Sequence, residues 1–168
     1  MKTFLILVVF MLPSFSVFSA GNDLLEVREA YYLAVDNEES LKAFEVLLVN
    51  FNNPDNTILG YIGMSFMLKA KYAWLPNDKW EYFNKGKKFL ESAISKDPNN
   101  IELKFMRFCI QNNTPGILRY NKNLEKDKGC IFKAFSGIAD DDLKLRISNY
   151  MIIEKIELTD AELNTLSR

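Results

Sequence analysis

The sequence predicts an all-α chain of about eight helices, arranged as antiparallel hairpins. Two observations carry that prediction. Apolar residues recur at helical spacing in segment after segment, and no segment downstream of residue 20 alternates strictly enough to read as a strand. Clusters of Asn, Asp and Pro interrupt the pattern at regular intervals, at 52–54, 76–78, 98–100 and 112–116.

The clearest helix is 78–97. Trp80, Phe83, Gly86, Leu90, Ala93 and Ile94 form its apolar stripe, with Lys and Glu on the other side. Ahead of it, 22–35 carries Leu24, Val27, Tyr31 and Ala34 on one face, and 37–51 carries Leu41, Phe44, Leu47 and Leu48. Asp36 is placed to cap the second of these, with Glu39 reaching back. The segment 54–74 is apolar nearly all round, which predicts a central helix. Asn53 would cap it, with Pro54 in the first turn. Gly60 and Gly63 inside this segment predict close approach by neighbouring helices. Further helices follow at 101–111, 121–137, 140–156 and 159–166. Their start signals are Asn99 with Glu102, Asn121, the run Asp140-Asp141-Asp142, and Thr159 with Glu162.

Residues 1–19 read as a secretory signal peptide. Lys2 supplies the positive start, 4–12 are uninterruptedly apolar, and Val17 and Ser19 are acceptable before a cut ahead of Ala20. The expected location is the bacterial periplasm or the extracellular space, with no stable membrane insertion once the signal is removed. Residues 20–168 make a single all-α helical-repeat domain in this reading, of a size that folds without a staple.

Composition narrows the function classes. The chain has no His, which removes Ser-His-Asp and Cys-His catalysis and His-containing zinc sites. Two Cys are too few for a four-thiolate site. The net charge is −1 with mixed signs, so nothing points to nucleic acid. The acidic groups Asp36, Glu38 and Glu39, and Asp140 to Asp142, lack the spacing of a calcium loop, and helix capping accounts for both. No cofactor or metal site is expected. A carboxylate-dependent enzyme, for example one acting on glycans, stays open as an alternative because it needs no His.

Residues Gly86, Leu90, Ala93 and Pro98 resemble the second helix of a tetratricopeptide repeat, and Ser40, Phe44 and Leu47 repeat the spacing more loosely. The signal peptide together with KGKKFLESAISKDPNNIELKFMRFCIQNN is also similar to small exported proteins of the Bacteroidetes group of bacteria. The first resemblance implies stacked helical hairpins. The second implies export and a helical fold, and neither implies an activity.

The leading functional expectation is a non-enzymatic protein-binding or scaffold module of the cell envelope, with the concave face of the array meeting a protein or peptide. A small accessory subunit of an envelope complex is a further alternative. Candidate partner-binding residues are Tyr72 and Trp74 at a helix end, and Arg107, Asn112, Arg119, Tyr120 and Asn123 around the Pro115-Gly116 turn. These polar groups would equally serve to satisfy the backbone of a tight connection. Cys109 and Cys130 lie on successive helices either side of that turn. They are a candidate disulfide in an oxidising compartment, or a pair of ordinary small core residues.

Overall fold

The structure is a computed structural model that describes residues 20–154 and 156–166, with the side chains of residues 20–23 left out. The expected signal peptide at 1–19 lies outside the described residues. Among the described residues there are eight α-helices and no strand: α1 (Ala20–Asp36), α2 (Glu38–Val49), α3 (Asn56–Tyr72), α4 (Pro76–Lys96), α5 (Ile101–Asn113), α6 (Leu124–Phe135), α7 (Asp141–Ile153) and α8 (Asp160–Leu166). A single 3-10 turn, Gly116–Leu118, interrupts the connection from α5 to α6.

Helix starts follow side-chain chemistry, displaced from the expected positions by one to three residues. Asn37, not Asp36, accepts the hydrogen bond from the Glu39 amide at the start of α2. Asp55, not Asn53, accepts from the Ile58 amide at the start of α3. Asn100, not Asn99, accepts from Leu103 at the start of α5. In each case a neighbouring Asn or Asp offers the same oxygen, and the residue that caps has the extended backbone that a cap requires. The α6 helix starts at Leu124 rather than Asn121, with Asn123 at its cap position and no side-chain cap bond. Thr159 and Glu162 form the expected reciprocal box: Glu162 accepts from the Thr159 amide, and Thr159 Oγ1 accepts from the Glu162 amide.

Neighbouring helices pack as α1 on α2, α3 on α4 and α5 on α6. The pairs are joined by contacts of α2 with α3 and of α4 with α5, and by contacts among the odd-numbered helices, α1 with α3 and α3 with α5. The core has two main parts. Val27, Phe44, Met64, Leu90 and Leu103 belong to the first, and Phe108, Ile131, Phe135, Ile147 and Met151 to the second. The α5 helix serves both, with Leu103 and Met106 on one side and Phe105 and Phe108 on the other. Burying a side chain of the Phe44 or Phe108 class contributes about 1.5–3 kcal/mol.

The closest helix contact is α3 on α4. A Cβ built on Gly86 would lie 2.7 Å from the Gly63 carbonyl oxygen, and one built on Gly63 would lie 2.9 Å from the Gly86 oxygen. Two glycines facing each other thus let the two backbones touch. Gly60 does the same for α5, since an added Cβ there would run into the Leu103 side chain.

Trp80 departs from its expected core position. Phe83, Gly86, Leu90, Ala93 and Ile94 of the α4 stripe are buried, and Trp80 is 57% exposed. At 100° per residue Trp80 sits about 90° from the centre of that stripe. The segment that flanks α4 on that side reaches Phe83 through Tyr120.

Candidate functional site

Four odd-numbered helices converge on Arg28. Its Nε and Nη2 donate to Glu102 of α5 at 2.8 and 2.7 Å. Nη1 and Nη2 donate to Asp140 at 3.1 and 2.8 Å, and Nη1 donates to Asp142 of α7 at 3.0 Å. All five guanidinium N–H groups are therefore used. Tyr61 of α3 donates its hydroxyl to Glu102 at 2.8 Å. Arg28 is 3% exposed. Burial opposes its charge, but the hydrogen bonds to Glu102 and Asp140 outweigh that effect and hold the guanidinium firmly protonated. The Asp140 carboxyl is lowered below its ordinary range, chiefly by the hydrogen bonds from Arg28. Further along the same seam Arg146 pairs with Asp142 and Glu29 and stacks over the Tyr32 ring at 4.4 Å. The successive contacts advance in the same direction along both chains, so α1 and α7 run parallel.

The candidate residues of the Pro115-Gly116 connection do not form one surface. Arg107 is buried and holds Asp127 of α6 in a two-pronged pair, Nε to Oδ2 at 2.7 Å and Nη2 to Oδ1 at 2.9 Å. Its Nη1 donates to Glu91 of α4 at 2.8 Å. Tyr120 is buried too, and its hydroxyl donates to the other Glu91 oxygen at 2.7 Å. Arg107 and Tyr120 are thus corrected from partner-facing groups to internal ties between α4, α5 and α6. The reason is Asp127, which is 0% exposed and needs a cation. Arg119 is exposed, with a left-handed backbone (φ 47°) that closes the 3-10 turn. Asn112 is exposed and donates to the Tyr150 hydroxyl at 3.2 Å. Asn123 is half-buried at the start of α6.

Cys109 and Cys130 are free thiols. Cys109 packs against the second core, as Tyr150 does, and burial pushes its thiol up. Contacts from α5 to α6 include the Arg107–Asp127 pair and Phe108, which shares the second core with Ile131 and Phe135. The connection that the two residues flank does not bring them into a bond.

The remaining two candidates lie at the tip of the α3–α4 hairpin. Tyr72 is half-buried, and its hydroxyl donates to the Ala34 and Val35 carbonyls at 2.9 and 2.7 Å, satisfying the end of α1. Trp74 is 92% exposed, followed by Leu75 at 55%, and Trp80 one turn into α4 completes the group. Both tryptophans of the chain are therefore in solvent, within seven residues of each other.

A cavity of about 620 Å³ opens between α5, α6 and the connection from α7 to α8. Phe108, Leu124, Ile156 and Leu158 supply its apolar lining, and Glu125, Glu154 and Glu157 stand around it. Sequence reasoning missed this cavity, along with Arg28 and Asp127, and it read Glu102 as a capping residue where the structure pairs it with Arg28. Asp127 left a signal: it falls on the apolar stripe of Leu124, Ile131 and Phe135, where an unpaired carboxylate would not be stable.

Comparison of the chain with protein-family models, with curated protein sequences and with solved structures finds no match.

Proposed function

We propose that this protein is an exported, non-enzymatic interaction module of the bacterial envelope, built as a divergent tetratricopeptide-like array, and that it meets a protein or peptide partner with the tip of the α3–α4 hairpin. The observation that carries this reading is the exposure of Trp74, Leu75 and Trp80 together. Trp is the residue type most enriched at the energetic centres of interfaces. Three large apolar side chains exposed within seven residues of chain are a candidate contact surface, whereas isolated exposed apolar residues are ordinary. The arginines between α1 and α7 are already engaged, Arg28 with Glu102, Asp140 and Asp142 and Arg146 with Asp142, Glu29 and the Tyr32 ring. That leaves the tip as the better surface.

The test is site-specific photo-crosslinking. A photoreactive residue at position 74 should capture one dominant protein from the envelope of the native cell, and the same residue at exposed Lys122 should not. Trp74→Ala with Trp80→Ala should abolish co-purification of that protein. It should leave the melting transition within about 0.5 kcal/mol of wild type, as for surface positions generally. A large loss of stability would assign the tryptophans to folding instead. Unchanged co-purification would remove the tip as the partner surface.

A further inference from the structure

We infer that the cavity between α5, α6 and the α7–α8 connection is a binding site for an amphiphilic organic cation, a molecule or side chain with an apolar body ending in an amine or guanidinium. Its volume of about 620 Å³ lies within the range of small-ligand pockets. Phe108 and Leu124 from α5 and α6 and Ile156 and Leu158 from the connection offer an apolar wall for the body of such a ligand. Three carboxylates, Glu125, Glu154 and Glu157, surround that wall. None of the three side chains has a hydrogen bond or an ion pair within the described residues. This sets them apart from Glu102, Asp127, Asp140 and Asp142, each of which is paired with an arginine.

Among the described residues, the lysine that lines the cavity forms no ion pair with them. Lys128 donates its ammonium to the Glu157 carbonyl oxygen and pairs with Glu162 of α8 at 3.4 Å, so its charge is directed to the connection and to α8. Unpaired carboxylates beside a low-dielectric wall concentrate negative potential and favour a positive head group. A bound ammonium or guanidinium would then form charge-assisted hydrogen bonds that a neutral group of the same shape cannot form. Asn112 adds an amide at the mouth, which accepts as well as donates.

The inference is independent of the tip surface, since the two share no residue. It is tested by titrating the 20–168 chain with 4-phenylbutylamine and with 4-phenylbutan-1-ol, following backbone amide shifts by NMR. The amine should bind about tenfold or more tightly than the alcohol, as expected for one charge-assisted hydrogen bond. Its shifts should centre on Phe108, Leu124, Ile156 and Leu158. Glu125→Gln with Glu154→Gln and Glu157→Gln should bring the amine to the level of the alcohol. These are exposed positions, so the fold is retained, and a melting curve checks it. A parallel titration with acetyl-Phe-Lys-amide separates the two sources of the head group. Tighter binding of the free amine assigns the site to small amines, and tighter binding of the dipeptide assigns it to a basic side chain of a peptide. Equal affinity for amine and alcohol, no binding of either at millimolar concentration, or an unchanged affinity in the triple variant would each overturn the inference.

Discussion

The α3–α4 hairpin and the α7 helix are held in the same molecule by opposite means. Between α3 and α4 the side chains are removed at the crossing, so that Gly63 and Gly86 bring the two backbones into contact. The α7 helix stands further off and is reached by long groups. Leu143, Ile147 and Met151 meet the second core, Tyr150 sets its edge on Phe105 and Phe108 at 5.6 and 6.1 Å, and Arg28 and Arg146 span to the carboxylates beside them. The first contact depends on what is absent and tolerates no addition. The second depends on charge and tolerates changes of size better than changes of sign.

The largest expected effect is on the charged side of this comparison. Arg28→Met leaves Glu102 buried without its cation, with Asp140 and Asp142 facing the same space, and should lower stability by about 3–5 kcal/mol in chemical denaturation. Adding Glu102→Gln to that variant should recover part of the loss. A loss below about 1 kcal/mol for the single change would mean that the guanidinium is solvated and α7 is held by its apolar face alone.

Next is the glycine contact. Gly86→Ala should destabilise by about 1–3 kcal/mol and Gly86→Leu by more, because even one methyl meets the Gly63 backbone. In an uncrowded helix the alanine would instead gain up to about 1 kcal/mol. A melting temperature raised by alanine would therefore show that α3 and α4 do not touch there.

The smallest effect sharpens the α7 side. Because Arg28 lowers the Asp140 carboxyl below its ordinary value, the unfolded chain binds the proton more readily than the folded one. The contribution of Asp140 is thus fully present above about pH 4, the ordinary aspartate range, and is lost as pH falls through the lowered folded value. Asp140→Asn keeps a cap for the Leu143 amide and removes the charge together with the second oxygen that accepts from Arg28 Nη2. The melting-temperature gap between wild type and Asp140→Asn should be constant from neutral pH to about pH 5 and should close only below about pH 4. A gap that closes well above that range would contradict the Arg28 pairing.

Most helices were legible because their signals are local. The stripes of α2 and α4, the paired signal of Thr159 and Glu162, and the small residues at Gly60, Gly63 and Gly86 each act within one or two turns of chain. Cap positions slid along runs such as Asn99-Asn100 because adjacent residues carry equivalent oxygens, and backbone conformation selects between them. The candidate site was far less legible. Arg107 and Tyr120 look like recognition residues until Glu91 and Asp127 are placed beside them. Glu125, Glu154 and Glu157 look like three solvated carboxylates among many until α6 and the α7–α8 connection bring them around one wall.

The sequence by itself determined the helices, since periodicity and capping are properties of short stretches of chain. It also determined the absence of histidine chemistry. Only the tertiary structure decided which charges are structural. Arg28 meets Glu102 and Asp140 across 74 and 112 residues of chain, and no local pattern encodes a partner at that separation. The packing of α7 along α1 decided it, by setting the exposed carboxylate of Asp140 beside a guanidinium and a carboxylate, Arg28 and Glu102, that are themselves buried.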